Sequence, residues 1–276
     1  MPQISSRTLC GTRIASDQLT FPTAEPTNLG KPLFFPDLST RQRKPEWMDE
    51  DSVDPRLLQK SLRFIRRINT LLGYTRATLQ HLERFSRNWP RGSKIRLIDL
   101  ATGSADVPRA ILRWADRRGL DIHIVGVDRH AVTAQTAAEG SADHRLNIIQ
   151  ADVFDLPFEP GSFDYAMTSM FLHHLDDDSV VRVIETMNRL ASRGIIIADL
   201  IRNRRAYAWA SLFTCGSNAM VRHDARVSVG QSFNRQEVLE LRNRAGVQFM
   251  EYYRHFGHRF VLAGEKQGNV QAVRSY

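Results

Sequence analysis

The sequence predicts an α/β fold in which helices cover both faces of a largely parallel sheet. From residue 95 onwards, short runs rich in Ile and Val alternate with helical stretches, and such alternation is typical of doubly wound sheets. The predicted strands are 95–100, 122–127, 146–149, 163–168 and 194–198. The helices predicted between them are 107–117, 131–139 and 179–190. Ligands of such sheets bind at the carboxyl ends of the strands, so functional residues are expected there.

The chain after the fifth strand predicts a lid and then a return to the sheet. Residues 201–233 interrupt the alternation with several arginines and with the aromatic residues Tyr207, Trp209 and Phe213. A helix over 234–244 and two strands over 247–253 and 259–263 follow. Gly257 fits a turn between these two strands, so the last strand is expected to be an antiparallel addition.

The N-terminal part of the chain predicts appendages to this domain. Residues 1–44 are rich in Ser, Thr, Pro and Gly without a sustained apolar period, which predicts a disordered tail, and 269–276 are assigned to a second short tail. Over 45–90, two helical patterns separated by Gly73 predict a helical cap, because such a pair must bury its apolar stripe on something larger. The domain itself is expected to span 91–268.

Composition narrows the class of protein. The chain has 276 residues, 42% of them apolar, and a net charge of +8, which suits one domain with additions. Only five of the 38 basic residues are lysines, and the arginines are scattered, so a nucleic-acid partner is disfavoured though left open. The two cysteines have no metal-ligand spacing, so no metal site is predicted. With no long apolar run, a cytoplasmic protein is expected.

Four predicted strands end in residues suited to ligand binding. The first runs from Asp99 into small residues, 101–105, just before a helix, where the backbone can approach a ligand closely. The second ends at Asp128, and aspartate at that place can accept both hydroxyls of a ribose. The third strand leads into Asp152, and the fourth ends in Ser169 and Met170. Four such features at successive strand ends are more specific than any one alone.

Residues 95–199 resemble the class I S-adenosylmethionine-dependent methyltransferases, nearest the ubiquinone and menaquinone biosynthesis branch. The resemblance implies a Rossmann-like seven-stranded sheet with the last strand antiparallel and S-adenosyl-L-methionine as cofactor. It implies that 101–105 wrap the amino acid moiety, Asp128 holds the ribose, Asp152 the adenine amino group with Val153 beside the ring, and Ser169 and Met170 line the floor near the sulfonium. The full predicted cofactor-binding set is Asp99, Ala101, Thr102, Gly103, Ala105, Asp128, Arg129, Asp152, Val153, Ser169 and Met170.

The first motif departs from the family pattern. Ala101 and Ala105 occupy two places where the family usually has glycine, leaving Gly103 alone. Alanine is tolerated where φ is negative but is strained where φ must be positive. A non-catalytic descendant therefore remains an alternative. An NAD-binding protein is a further alternative, although its GxGxxG turn is missing here.

The expected acceptor is a small aromatic, polyketide-like or quinone-like molecule. Met170, Phe171, Tyr207, Trp209 and Phe213 would line an apolar pocket for it. The Asn/Asp-Pro-Pro-aromatic run of nucleic-acid amino-methylating enzymes is replaced here by residues 169–172, Ser-Met-Phe-Leu. O- and C-methylation both stay open.

Two histidines are the predicted catalytic candidates. His223 is followed directly by Asp224 within the lid, and His173 follows the fourth strand beside His174. Either could serve as a general base toward a hydroxyl acceptor.

Overall fold

Seven strands form one sheet in the computed structural model, which describes residues 36–49, 53–71, 73–140 and 142–266. Along the chain they are β1 (Lys94–Leu100), β2 (Asp121–Asp128), β3 (Leu146–Gln150), β4 (Phe163–Ser169), β5 (Ala191–Leu200), β6 (Glu251–His255) and β7 (Arg259–Glu265). The order across the sheet is β3-β2-β1-β4-β5-β7-β6. β1 to β5 pair in parallel, and β7 runs antiparallel to both β5 and β6. The predicted seven-stranded fold class is confirmed.

Helices cover both faces of this sheet. They are α1 (Pro55–Leu71), α2 (Tyr74–Ser86), α3 (Asp106–Arg118), α4 (Ala131–Glu139), α5 (Asp177–Leu190), α6 (Arg204–Thr214), α7 (Ala219–Gln231) and α8 (Arg235–Arg244), with short 3₁₀ turns at Trp47–Asp49 and Leu172–His174. None of the helices in these described ranges combines the length and apolar composition needed to cross a membrane.

Alternate residues of the central strands pack into two separate hydrophobic cores, one on each face of the sheet. Ile98 and Leu100 of β1 pack with α5 and α8, whereas Ile95 and Leu97 of the same strand pack with α2 and α3. Side chains along a strand point alternately to its two faces. Strands β1, β4 and β5 therefore carry apolar residues toward both faces, and most of their side chains are buried.

The predicted cap and lid form two helical pairs. Gly73, with a φ of 72°, separates α1 from α2, and the left-handed conformation that it adopts favours glycine. α6 and α7 follow β5 and make up the lid. Asn203 and Asn218 cap these two helices by accepting hydrogen bonds from the backbone N–H groups of Ala206 and Val221, so both lid helices begin at side-chain caps.

The predicted disordered tail of 1–44 ends earlier than expected. Residues 1–35 lie outside the described part of the chain, but Arg41 docks on the domain: its Nε donates to the Gln231 carbonyl at 2.5 Å and its Nη2 to the Leu175 carbonyl at 2.6 Å. Gln42 N also donates to the Gly230 carbonyl at 3.0 Å. The boundary at residue 44 was therefore wrong, because hydrogen bonds rather than an apolar stripe fix this segment, which we call the strap (residues 37–49).

The predicted strand over 247–253 begins later in the structure. Val247 and Met250 are fully buried, yet they lie in a turn closed by a hydrogen bond from Met250 N to the Val247 carbonyl at 3.0 Å. Burial of these two side chains in the core below α8 produced an apolar pattern that resembles a strand. β6 itself starts at Glu251.

Candidate functional site

The turn after β1 is wound in a left-handed conformation at every second residue. φ is 55° at Ala101, 56° at Gly103 and 56° at Ala105. This conformation costs a non-glycine residue roughly 1–2 kcal/mol, so the two alanines occupy positions that glycine would fill without strain. Strain of this kind is retained where the surrounding structure requires the backbone shape, often at ligand sites.

The same turn leaves room and donors for a ligand. A Cβ atom built on Gly103 would meet no atom within 4 Å. Ala105 precedes α3 without a side-chain capping bond, so the first N–H groups of that helix point toward the strand ends without such a cap. A helix N-terminus of this kind attracts a carboxylate.

Asp128, at the end of β2, joins this turn to the next one. One carboxylate oxygen accepts a hydrogen bond from Gly103 N at 2.9 Å and the other from His130 N at 3.0 Å. The side chain is partly exposed, whereas its neighbour Arg129 is exposed. Each carboxylate oxygen has a second lone pair, so Asp128 can hold a ligand hydroxyl while keeping both backbone bonds.

Asp99 presents a buried carboxyl group beside the same turn. It is 2% exposed, and Oδ2 accepts a hydrogen bond from Thr102 Oγ1 at 2.7 Å. Oδ1 has no hydrogen-bond partner among the described residues. Burial, assisted by the nearby charge of Asp128, raises the pKa of Asp99 to about 7. A bound cation or hydrogen-bond donor would give this buried carboxyl oxygen the partner that it lacks among the described residues.

The ends of β3 and β4 carry the remaining predicted cofactor-binding residues at this edge of the sheet. Asp152 is exposed and accepts a hydrogen bond from Phe154 N at 3.0 Å, while Val153 is buried next to it. Ser169 ends β4, and Met170 follows with a φ of 55°. A left-handed methionine is unusual because its side chain crowds the backbone. This backbone conformation directs the Met170 side chain toward a cavity beneath the lid.

The cavity beneath the lid has a volume of about 110 Å³ and a mostly apolar wall. That is several times the space that one water molecule needs by a comparable measure. Phe64 and Ile65 of α1 contribute one side, and Trp209 and Phe213 of α6 contribute another. Met170 lines its end at the sheet. Of the residues predicted to line an acceptor pocket, Tyr207 and Phe171 are not part of this wall.

His223 lies on α7 outside the wall of the cavity. Its ring stacks on Trp47 of the strap with centroids 4.1 Å apart, and its Nδ1 is 2.8 Å from Asp224 Oδ1. Asp224 is buried and also accepts hydrogen bonds from the backbone N–H groups of Trp47 and Met48. The structure thus shows His223 joining the strap to the lid.

His173 is buried between two carboxylates. Its Nδ1 lies 2.7 Å from Asp199 Oδ1 and its Nε2 lies 3.8 Å from Glu46 Oε1. Although burial alone would raise it, the pKa of Asp199 is lowered, mainly by the neighbouring His173. These contacts connect β5 with the strap.

Glu46, His173 and His174 also bring three potential metal-ligand atoms within 4.8 Å of one another. Arg43 and Lys44 line the pocket next to them. The positive charge of those two side chains disfavours a cation there.

Residues 97–194 match the family model described as a methyltransferase domain. The matched segment begins within β1 and reaches β5, so it includes all the strand ends described above. A search of curated proteins found no significant match.

Solved structures share the fold at low sequence identity. A candidate O-methyltransferase from Nostoc punctiforme aligns over 75% of this chain and 60% of its own, at 16% identity and a TM-score of 0.52. Human N-acetylserotonin methyltransferase aligns over 76% and 55%, at 14% identity and 0.54. The magnesium protoporphyrin IX methyltransferase of Synechocystis aligns over 79% and 90%, at 10% identity and 0.50. The chain spans less than two thirds of the first two proteins.

Two residues that face the cavity beneath the lid were not found from the sequence. His258 and Arg259 come from the turn between β6 and β7 and line the cavity beside Met170. Arg259 is 3% exposed, and its guanidinium carbon lies 4.3 Å from the centre of the Tyr74 ring. Burial lowers the pKa of Arg259 to about 10 and also lowers that of His258. Positive φ at both Gly257 and His258 shows that this turn is tight, but no sequence pattern links it to the strand ends.

Proposed function

We propose that this protein is an S-adenosyl-L-methionine-dependent methyltransferase that acts on a small, mostly apolar acceptor. The observation that carries the proposal is the coincidence of the methyltransferase-domain match with the left-handed turn over 101–105 and Asp128 at the adjacent strand end. Among proteins of this fold, the human N-acetylserotonin methyltransferase was solved with SAM and the Synechocystis enzyme with SAH. Both support the cofactor implied by the sequence.

The residues at the strand ends fit this cofactor. The N-terminus of α3 suits its carboxylate, and the unsatisfied oxygen of buried Asp99 suits its ammonium group. Asp128 has lone pairs left for ribose hydroxyls. Asp152, with Val153 beside it, is the assigned partner of the adenine, and Ser169 and Met170 form the floor. Arg129 is exposed next to Asp128, and its assignment to the cofactor is the weakest of the set.

The cavity beneath the lid is the proposed acceptor site. It adjoins Met170, and residues of both the cap and the lid line its wall. Its wall is largely apolar and carries Trp209 and Phe213, which favours a flat aromatic or quinone-like body. The nearness to ubiquinone and menaquinone biosynthesis enzymes and the choice between oxygen and carbon stay sequence-based predictions.

The chain contributes mainly alignment to the reaction. When bound, the cofactor supplies an electrophilic methyl group. The turn over 101–105 and Asp128 fix the position of that group, and α6 and α7 hold the acceptor in line with it and exclude water. Alignment of two reactants is worth about 7–11 kcal/mol of the barrier. A general base is not required where the acceptor is already ionised.

The assignment of His223 or His173 as a base can be separated from these effects. His223→Ala is expected to lower kcat and leave SAH affinity unchanged if His223 acts on a hydroxyl acceptor. His258→Ala is the matched comparison, because His258 lines the cavity while His223 does not. If His223→Ala keeps full turnover and His258→Ala loses turnover, His258 rather than His223 acts as the base.

A product screen tests the function directly. The full chain is incubated with methyl-labelled S-adenosylmethionine and mixtures of phenols and quinols, with DNA and RNA as parallel substrates. We expect label in the small-molecule fraction and none in the nucleic acids. Label in nucleic acid alone would overturn the acceptor class.

A further inference from the structure

Exposed apolar side chains gather on one surface of the lid and the turn beside it, which we call the apolar patch (Trp209, Leu212, Phe213 and Phe256). Leu212 is 66% exposed, Phe213 38% and Phe256 71%. Trp209 joins them, because its ring centroid lies 5.0 Å from that of Phe213 and 5.5 Å from that of Phe256. Single exposed apolar residues are ordinary, but a cluster of them on one surface marks a site of interaction.

Two elements build the apolar patch, and the sheet brings them together. α6 supplies three of its residues, and the turn between β6 and β7 supplies Phe256. That turn lies at the carboxyl end of β5, because Arg259 pairs with Leu200, and α6 begins shortly after the same strand end. Trp209 and Phe213 also line the cavity beneath the lid. The patch is therefore continuous with the wall of the proposed acceptor site.

Two exposed arginines flank the apolar patch. Arg205 lies in the first turn of α6, and Arg254 lies near the end of β6. Burial, followed by the charges of Arg254 and Arg205, lowers the pKa of His258, so both guanidinium groups are near that ring. The His258 ring in turn has its centroid 5.4 Å from that of Trp209. The two positive charges therefore stand at the border of the patch.

The chain segments that form the patch contain no negative residue. Residues 200–223 include four arginines and residues 252–264 include two, without any Asp or Glu in either segment. Asp37 of the strap lies near Arg204 and offsets part of that charge. A symmetric contact with a second copy of the chain would bring like charges together at this face. An anionic surface would instead be attracted to it.

We propose that the apolar patch docks this protein on the surface of a bilayer that contains anionic lipids. This inference goes beyond the methyltransferase function and does not depend on it. The apolar side chains would enter the boundary between headgroups and acyl chains, where aromatic residues are favoured. Arg205 and Arg254 would contact the anionic headgroups. Docking would place the wall of the cavity, at Trp209 and Phe213, against lipid.

Sedimentation with lipid vesicles tests the proposal with the full chain. One set of vesicles contains equal parts of phosphatidylcholine and phosphatidylglycerol, and the matched neutral set contains phosphatidylcholine alone. We expect the wild type to bind the anionic vesicles roughly 25-fold more tightly, about fivefold for each of the two arginines. High salt should remove most of this preference, because it screens charges at the surface.

A double variant tests the apolar part of the patch. Leu212→Ser combined with Phe256→Ser removes two exposed side chains, neither of which lines the cavity. Full transfer of one such side chain out of water favours binding by roughly 10- to 150-fold. The double variant should therefore bind anionic vesicles at least about 10-fold more weakly than the wild type. Val132→Ser, at an exposed apolar position on α4, is the matched control and should bind like the wild type.

A second double variant tests the charges. Arg205→Gln combined with Arg254→Gln should abolish the preference for anionic over neutral vesicles. Arg113→Gln combined with Arg117→Gln removes two exposed positive charges from α3 and is the matched control, in which the preference should remain. An unchanged Tm in each variant shows that the fold is intact.

The outcomes distinguish this inference from the proposed function. Wild-type protein that binds neither kind of vesicle overturns membrane docking, and so does a Leu212→Ser, Phe256→Ser variant that binds as tightly as the wild type. Size-exclusion chromatography without vesicles tests the other occupant: a wild-type dimer that this variant dissociates would assign the patch to a second copy and overturn the proposal. Each of these results leaves the methyltransferase function standing. Failure of the wild type to bind SAH contradicts that function and leaves membrane docking standing.

Discussion

Replacing Asp99 by asparagine removes a buried negative charge while keeping an oxygen for Thr102 Oγ1. Burial raises the pKa of Asp99 from 3.8 to about 7, a difference of about three units. The folded protein therefore keeps this proton over a range in which the unfolded chain has lost it. Its contribution to stability falls as the pH rises from about 4 to about 7. At pH 8 the ionised group lowers stability by about 4 kcal/mol, at 1.36 kcal/mol per unit.

The gain from Asp99→Asn is smaller than this because the new amide needs an acceptor. The NH₂ group would occupy the place of Oδ1, which has no partner among the described residues, at a cost of about 1–3 kcal/mol. A net stabilisation of about 1–3 kcal/mol remains at pH 8. It corresponds to a rise in Tm of roughly 2–12 °C for a domain of this size. The gain should disappear at pH 4, where the carboxyl group is still neutral in the folded protein and little of the penalty has developed.

Thermal unfolding of both proteins from pH 4 to pH 8 measures this difference. Asp128→Asn is the matched control, because both oxygens of Asp128 accept backbone N–H groups and an amide nitrogen cannot replace one of them; it should be less stable than wild type. Asp99→Asn should also weaken SAH binding, since the ammonium loses its anionic partner. A variant that is less stable at pH 8, or equally stabilised at pH 4, would refute the reasoning.

Three further outcomes follow from the same contacts. Ala101→Gly and Ala105→Gly each relieve a left-handed alanine, worth about 1–2 kcal/mol, against a loss of about 0.4–1 kcal/mol through the unfolded chain. Chemical denaturation should therefore show a gain between about 0 and about 1.6 kcal/mol, and a clear loss of stability would contradict the strain. Nε2 of His81 lies 3.0 Å from Nε2 of His255, and burial lowers the pKa of His81 to about 4. About 3 kcal/mol of stability should therefore be lost as the pH falls from 6.5 to 4. In thermal melts, His81→Gln should reduce this dependence of stability on pH. Asp128→Ala should weaken SAH roughly 10- to 150-fold in calorimetry, and unchanged affinity would remove Asp128 from the site.

The parts of the fold that follow from local pattern were predicted from the sequence. β1, β4 and β5 are buried on both faces, so most of their positions are apolar and they are easily recognised as strands. Their ends carry Asp99, Ser169 and Met170, whose positions follow once the strands are known. The sequence also identified the two places, Ala101 and Ala105, where alanine replaces the usual glycine, and both residues adopt positive φ.

The parts that depend on distant contacts were not predicted. Arg41 docks through hydrogen bonds to backbone carbonyls of Gln231 and Leu175, and such acceptors leave no trace in the local sequence. His258 and Arg259 reach the cavity because β7 inserts beside β5, which brings residues far apart in the chain to the end of β4. Val247 and Met250 show the converse case, in which burial in a turn imitates a strand.

Calorimetric titration of the full chain with SAH tests the central claim most directly. We expect saturable binding at one site, weakened by Asp128→Ala, with no comparable binding of NADH. NADH shares the ribose contact but lacks the GxGxxG turn in this chain that its pyrophosphate would need. Wild-type protein that binds NADH and shows no binding of SAH would contradict the account.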